Sequence, residues 1–368
     1  LTNLLHIYQN SNVGGVQQQL FNVIKNYDKN TITPSFACIK NKGQIAEELE
    51  ESHIPVFALN QPDYNDFTSS VKRLKDIIEK NNINLIRTHR FIANFYGRIA
   101  AILTGKPVII SLHDNYNKDK RIARRIINRV LALKTSKIVA VSHSIKDDII
   151  KYDGINPDKI NVIHNGIDLN RFNPNITANY LKKELGIEEG EKVIGFVGRL
   201  VPAKAIDKLI EAFAMIKRQN NDIKLLIVGF GELFEELNEL TNHKKLDGHV
   251  IFTGKRRDIP QLLSIMDIFV MPSISEGLPN VLIEAMAAAK PIISTKAGGI
   301  PEIITNLDNG ILIDNDINSL YQTINNLLEN KDLATTLGLN ARKYAETHLD
   351  IKIVSKKWEN LYKEVLKK

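Results

Sequence analysis

Glu276 and Glu284 stand eight positions apart in the segment Met271-Pro-Ser-Ile-Ser-Glu-Gly-Leu-Pro-Asn-Val-Leu-Ile-Glu-Ala-Met-Ala-Ala-Ala-Lys290. The pattern predicts a strand end, a turn at Glu276-Gly277, and a helix with Pro279 in its first turn. Proline is tolerated there because its amide has no intrahelical partner to lose. A helix start presents unpaired N–H groups and the positive end of the peptide dipole, which together hold an anion. A carboxylate just before such a start is costly unless it accepts hydrogen bonds, and sugar hydroxyls would supply them. Glu284 falls about a turn and a half inside the helix. The chemistry implied is the holding of a phosphorylated sugar between two carboxylates. An ordinary buried helix, with a glutamate inside the run Val281, Leu282, Ile283, Ala285 and Met286, would share the spacing.

A second cluster suits the phosphates. Arg199 and Lys204 lie five residues apart in Phe196-Val-Gly-Arg-Leu-Val-Pro-Ala-Lys204, at an expected strand-to-helix turn. A guanidinium bridges two phosphate oxygens while an ammonium acts as a point charge, so the pair fits a diphosphate. Gly229 and Gly231 close the next strand, where glycine admits a ligand's close approach or simply makes a tight turn. Lys255 and Arg256 follow another strand. In the first half, Asn12-Val-Gly-Gly15-Val opens a helix, and His113 ends the strand-like Pro107–Leu112. A neutral imidazole donates to a sugar hydroxyl without adding a fixed charge.

Taken together these motifs closely resemble glycosyltransferase family 4, GT-B enzymes that move a sugar from a nucleotide donor with retention at the anomeric carbon. The resemblance covers essentially the whole chain and is strongest from Asn165 to Glu302. It implies an α/β fold of two doubly wound, parallel-sheet Rossmann-like domains facing a central cleft. Residues 1–165 would form the acceptor-side domain, with a helix over 350–368 packing back on it, and 166–349 the donor domain. His113 and Glu276 would then act at the reaction centre. Gly15, Arg199, Lys204, Gly229, Gly277, Leu278, Asn280, Val281 and Glu284 would hold the donor, Glu284 through the ribose hydroxyls. Lys255 and Arg256 match the nucleobase pocket.

Two positions depart from the family pattern: Ala205 replaces the usual glycine after Lys204, and Gln17 replaces a frequent glutamate. The first change costs little if the backbone there is helical. A retaining glycosidase would need a carboxylate nucleophile, and no well-placed candidate stands out. The resemblance implies front-face attack instead, with the donor phosphate helping to take the acceptor's proton. No metal or other cofactor is expected, because protein cations and the helix start neutralise the leaving diphosphate. The partners implied are a UDP- or GDP-sugar and a glycan or lipid-linked acceptor in capsule, lipopolysaccharide or other surface polysaccharide assembly. Two rivals are a GT-B nucleotide-sugar epimerase and a non-catalytic nucleotide-sugar sensor.

Composition agrees with that picture. The 368 residues suit two domains, and 43% apolar with 25% charged residues is ordinary for a globular protein. No run of eighteen apolar residues is present, and Leu4–Tyr8 reads as a strand rather than as a secretory leader. The single cysteine, Cys38, excludes an internal disulfide and fits a reducing compartment. The expected location is cytoplasmic, peripheral on the inner face of the cytoplasmic membrane. Strand-like and helical runs alternate throughout, which predicts parallel doubly wound sheets. Neither half has a Gly-x-Gly-x-x-Gly fingerprint after its first strand, which argues against a dehydrogenase.

The net charge of +7 is uneven: residues 1–170 hold 23 Lys+Arg against 16 Asp+Glu, and residues 171–368 hold 26 of each. Such asymmetry calls for an anionic partner. With no nucleic-acid signature, a membrane surface is preferred. Within the stretch 118–137, Arg121, Arg124, Arg125 and Arg129 share one helical arc, opposite Ile122, Ile126, Val130 and Leu133. The expectation is a core-facing apolar stripe with a basic face turned to anionic lipid.

Overall fold

The computed structural model describes residues 1–10, 15–61, 66–113 and 122–367, with the backbone alone at 15 and 16. The chain divides into two compact units, Leu1–Gly166 with Ile351–Lys368, and Ile167–Asp350.

The first unit holds seven parallel strands: β1 Thr2–Tyr8, β2 Ile32–Cys38, β3 Val56–Ala58, β4 Leu85–His89, β5 Val108–Leu112, β6 Lys137–Ala140 and β7 Ile160–Val162. Their order is β3-β2-β1-β4-β5-β6-β7. The second holds six: β8 Lys192–Val197, β9 Ile223–Val228, β10 Val250–Phe252, β11 Ile268–Met271, β12 Ile292–Thr295 and β13 Ile311–Ile313. Their order is β10-β9-β8-β11-β12-β13. Strands buried on both faces read as unbroken apolar runs, and all six residues of β9 (Ile-Lys-Leu-Leu-Ile-Val) are buried. Lys224 is accommodated there by donating to the Gly248 carbonyl at 2.8 Å and pairing with Glu191 at 3.4 Å.

Each sheet reverses its winding once, between β1 and β4 and between β8 and β11. Loops leaving the carboxyl ends of those strand pairs diverge to opposite faces and open a crevice, the usual ligand position in such sheets. The last helix, Ile351–Leu366, belongs to the first unit: Ile351, Val354, Trp358, Leu361, Tyr362 and Val365 join its core. Cys38 is buried in that core, its thiol donating to the Phe57 carbonyl at 3.8 Å. No described helix is long and apolar enough to cross a membrane.

The helix Ile122–Ala132 sits the opposite way round from the expectation. Its buried residues are Asn128, Leu131 and Ala132, while Ile122, Ile126, Val130 and Leu133 are 70%, 59%, 58% and 76% exposed. The reason is a polar seam. Buried Arg98 donates to the Asn128 side-chain oxygen at 2.7 Å, and Asn128 donates to Asp153 at 3.4 Å. Arg124 and Arg125 are half-buried, lying over the rings of Phe91 at 4.3 Å and Tyr152 at 4.8 Å. Arg129 is exposed, and Arg121 lies outside the described residues. Of the predicted basic face, Arg124 and Arg125 are thus packed over aromatic rings, while Arg129 is exposed as expected.

Candidate functional site

In the second unit the loops after β8 and β11 meet across the switch point. The Ile274 amide donates to the Ala203 carbonyl at 2.8 Å. Lys204, at the end of a short 3-10 turn, donates to a carboxylate oxygen of Glu276. Both side chains are largely buried, 14% and 10% exposed. Two residues that the sequence offers in separate motifs, 72 positions apart, thus form one ion pair. Arg199, one turn earlier on the same loop, is exposed.

The Glu276 turn is held from behind by glycines. Gly298 has φ +55°, and a Cβ there would run into the Glu276 carbonyl; the next amide, Gly299, donates to the Gly277 carbonyl at 2.8 Å. The helix that follows spans Asn280–Ala287 with Pro279 as its N-cap at φ −72° and ψ 123°. Pro279 therefore precedes the first turn rather than lying in it, its extended ψ bending the chain into the helix. Leu278 is buried, while Asn280 and Val281 are half-buried beside the helix mouth. Glu284 lies one turn inside the helix; burial lifts its carboxyl to about 7, with the Arg171 charge working against the shift. A carboxyl so poised ionises readily when hydroxyl donors or a cation arrive.

Several expectations change on contact with the structure. Ala205 has φ 48° and ψ 45°, left-handed rather than right-handed helical backbone, so alanine is strained where glycine would not be. Gly229, at φ +141°, turns toward the neighbouring loop: a Cβ would strike the Gly198 carbonyl, and its amide donates to the Gly254 carbonyl at 3.0 Å. That glycine braces the β8 loop from the side. Arg256 donates to Asp258, at 2.9 and 2.7 Å, and to Glu184 at 2.7 Å, so its guanidinium is already shared by two carboxylates. Lys255 is exposed. Of the glycine loop after β1, residues 11–14 lie outside the described residues and Gly15 opens the helix Gly15–Lys25.

At the switch point of the first unit is a cluster that the sequence motifs did not announce. His6 on β1, His89 at the end of β4 and His113 just past β5 stack in a row, with ring centroids 5.6 and 6.1 Å apart. Parallel pairing sets the row: His6 pairs Arg87, and His89 pairs Ser111. His6 and His89 share a contact of 3.3 Å between ring nitrogens, and the Tyr27 hydroxyl lies 3.4 Å from the other His6 nitrogen. Tyr27 and Tyr362 hydroxyls are 2.7 Å apart. Buried Arg87 donates to Tyr362 at 2.9 Å, Tyr27 at 3.2 Å and Ser111 at 3.0 Å, and lies 3.2 Å from the Trp358 ring centre.

Burial, then the Arg87 charge, holds all three imidazoles neutral. His6 and His89 are well below their ordinary range and His113 is lowered to about 3, with Arg90 adding to the effect. Both ring nitrogens of His113 are buried and have no hydrogen-bond partner among the described residues. Arg90, next to His89, has φ 67° and ψ 163°, a region essentially restricted to glycine. Strain of that kind persists where the surrounding structure over-determines it, and it sits here at a sheet's switch point. An alternation of apolar and polar residues gives no hint that histidines on three strands share one face. Only the strand order does.

The family described as "Glycosyl transferases group 1" matches residues 179–344, and "Glycosyltransferase Family 4" matches residues 13–171. The Escherichia coli UDP-Gal:alpha-D-GlcNAc-diphosphoundecaprenol alpha-1,3-galactosyltransferase is 30% identical over 340 residues, 88% of this chain and 86% of that protein. The Staphylococcus aureus capsular polysaccharide biosynthesis glycosyltransferase CapM is 27% identical over 322 residues, covering 83% and 82% of the two chains. Among solved structures, Anabaena HepE in complex with UDP and glucose matches with a TM-score of 0.87 at 25% identity, over 99% of this chain and 100% of that one.

Proposed function

The chain belongs to the family 4 glycosyltransferases of GT-B fold, and from that premise we propose that it transfers a hexose from UDP, with retention, to a lipid-linked glycan in surface polysaccharide assembly. The observation that carries the donor half of this reading is the Lys204–Glu276 pair beside the mouth of the helix Asn280–Ala287. A cation, a carboxylate and helix amides within one loop cluster meet what a sugar diphosphate offers: oxyanions at one end, hydroxyls at the other. UDP is preferred over GDP because the HepE structure holds UDP and the E. coli relative is named for UDP-Gal. That relative's diphosphoundecaprenol substrate supports a lipid-linked acceptor.

In this reading Arg199 and Lys204 take the diphosphate, and the helix start adds its amides as charge builds on the departing phosphate. Glu276 is shared between Lys204 and the hexose hydroxyls. Glu284 ionises on accepting the ribose hydroxyls. His113, neutral, offers an N–H without adding a fixed charge. The acceptor attacks the face that the diphosphate leaves, its proton passing to a phosphate oxygen, so no protein nucleophile enters. No metal is required, since the protein cations carry the counter-charge.

Thermal-shift titration against UDP-, GDP- and ADP-sugars tests the donor, and UDP-sugars are expected to stabilise the protein most. Transfer from labelled UDP-hexose to a diphosphate-linked GlcNAc lipid should give an α-linked product and disappear in Glu276→Ala. A β-linked product would sink retention. Release of a free epimer without acceptor would favour the epimerase instead.

A further inference from the structure

We propose that a cavity at the amino ends of β8, β11 and β12, in the second unit, binds a small organic phosphate. Lys182, Lys290 and Lys331 would hold the phosphoryl group, and Leu327, Leu328 and Leu339 the carbon body. The cavity measures about 510 Å³, within the range of small-molecule sites. Among its lining residues, Lys192 opens β8, Ile268 opens β11 and Pro291 precedes β12. It therefore lies at the opposite edge of the sheet from the loops that carry Lys204 and Glu276. One wall is apolar and comes from the end of the helix Ile317–Glu329 and from the helix Lys331–Tyr344. Leu327 there is buried, Leu328 half-buried and Leu339 60% exposed. Covering that wall with carbon would remove apolar surface from water.

Charge identifies the ligand. Four lysines line the cavity, with Asp267 as the one carboxylate among the lining residues. Both Asp267 oxygens are engaged, one by Lys192 at 2.7 Å and the other by the Val193 amide at 2.9 Å. Lys182, Lys290 and Lys331 have no carboxylate partner among the described residues. Lys290 is half-buried and donates to the Ser264 and Met266 carbonyls at 2.9 Å each, using two of its three N–H groups. Burial lowers its ammonium to about 8, against the pull of Asp267, and the Lys182 charge lowers it further. Those carbonyls lie at the end of the helix Ile259–Ile265 and account for one cation here, not for three. A phosphate ester brings nearly two negative charges and three acceptor oxygens, a closer match to three ammoniums than one carboxylate. Inorganic phosphate would supply the charge and leave the leucine wall bare.

Pyridoxal 5′-phosphate, a planar organic phosphate with an aldehyde, tests the site on the full chain at pH 8. A neutral lysine amine attacks the aldehyde carbon, water leaves, and added borohydride reduces the imine to a stable secondary amine. Peptide mapping by mass spectrometry then reads each lysine separately, Lys204 included. Lys290 should be labelled at least tenfold above the average of lysines outside the cavity and the Lys204 loop. Pyridoxal without the phosphate should show no such preference. Lys182→Glu with Lys331→Glu, both at the cavity rim, should lower the Lys290 label at least tenfold while leaving the Lys204 label unchanged. Phenyl phosphate should protect Lys290 at concentrations where inorganic phosphate does not. Labelling that simply follows solvent exposure would overturn the proposal, as would a Lys290 label that survives in the double variant. Equal protection by phenyl phosphate and inorganic phosphate would overturn the assignment of an organic ligand.

Discussion

Lys204 donates to the carboxylate of Glu276, joining the loop after β8 to the loop after β11 at the point where the sheet reverses its winding. The pair is nearly buried, so each residue compensates the other's desolvation before any ligand arrives. Removing one partner should therefore cost more than removing both. Lys204→Ala or Glu276→Ala alone is expected to destabilise the second unit by about 2–3 kcal/mol. The double variant should cost only about 1 kcal/mol, less than either single change. All three should lose UDP affinity by isothermal titration. Strict additivity in a denaturant-based double-mutant cycle would mean that the contact carries no coupling.

Ala205 offers a gain. Its left-handed backbone penalises any Cβ by about 1–2 kcal/mol, part of which glycine returns as extra freedom of the unfolded chain. Ala205→Gly should raise stability by about 0.5–1 kcal/mol, and Lys204 should keep its pairing with Glu276. A fall in melting temperature on this substitution would show that packing around the buried methyl outweighs the strain.

Ala205 also shows where sequence reasoning stops. The fold was legible, because alternating β-branched and helical runs dictate parallel doubly wound sheets, and the short strand β13 is too brief to stand out. The candidate loops after β8 and β11 were legible because Arg199, Lys204 and Glu276 are chemically unusual beyond strand ends. What residue types do not encode is backbone sign and facing. Nothing in Lys-Ala-Ile tells that Ala205 has positive φ. Nothing in the arginine-rich helix tells that a polar seam from Arg98 to Asp153 turns its apolar stripe outward. The histidine row needed the order β1-β4-β5 before it could be seen at all.

Glu284 should report donor binding through a proton. Its folded carboxyl titrates near 7 against an ordinary 4.5, so between those values the folded chain holds more proton than the unfolded one. Stability contributed by the neutral form is thus complete below pH 4.5 and is lost as pH rises to 7, by on the order of 2 kcal/mol after allowance for partial exposure. Glu284→Gln should be more stable than wild type at pH 8 and indistinguishable from it near pH 4.5. If ribose hydroxyls bind the carboxylate, UDP binding at pH 6.5 releases part of a proton from wild type and none from the glutamine variant. Calorimetry in buffers of different ionisation enthalpy measures this directly. Equal proton release in the two proteins would remove Glu284 from the donor site.

The histidine row predicts the opposite pH response in the first unit. His6, His89 and His113 are neutral in the fold and have depressed folded values, so below their ordinary 6.5 the unfolded chain binds more protons than the native one. The stability they support is present above pH 6.5 and is lost as pH falls, down to about 3 for His113. One pH unit below 6.5 the loss is on the order of 1 kcal/mol per histidine. Arg87 cannot relieve it, because each added imidazolium would face a buried guanidinium held by Tyr27, Tyr362 and Ser111. Acidification therefore weakens the unit that contains Trp358 while relieving Glu284 in the other, and Trp358 is the chain's only tryptophan. Urea unfolding followed by tryptophan fluorescence should show a midpoint falling steeply between pH 6.5 and 5. His89→Phe should lessen that slope by about one proton's share. A fluorescence midpoint that is flat across this range would mean that the row accepts protons in place, and its assignment as a neutral stack would be wrong.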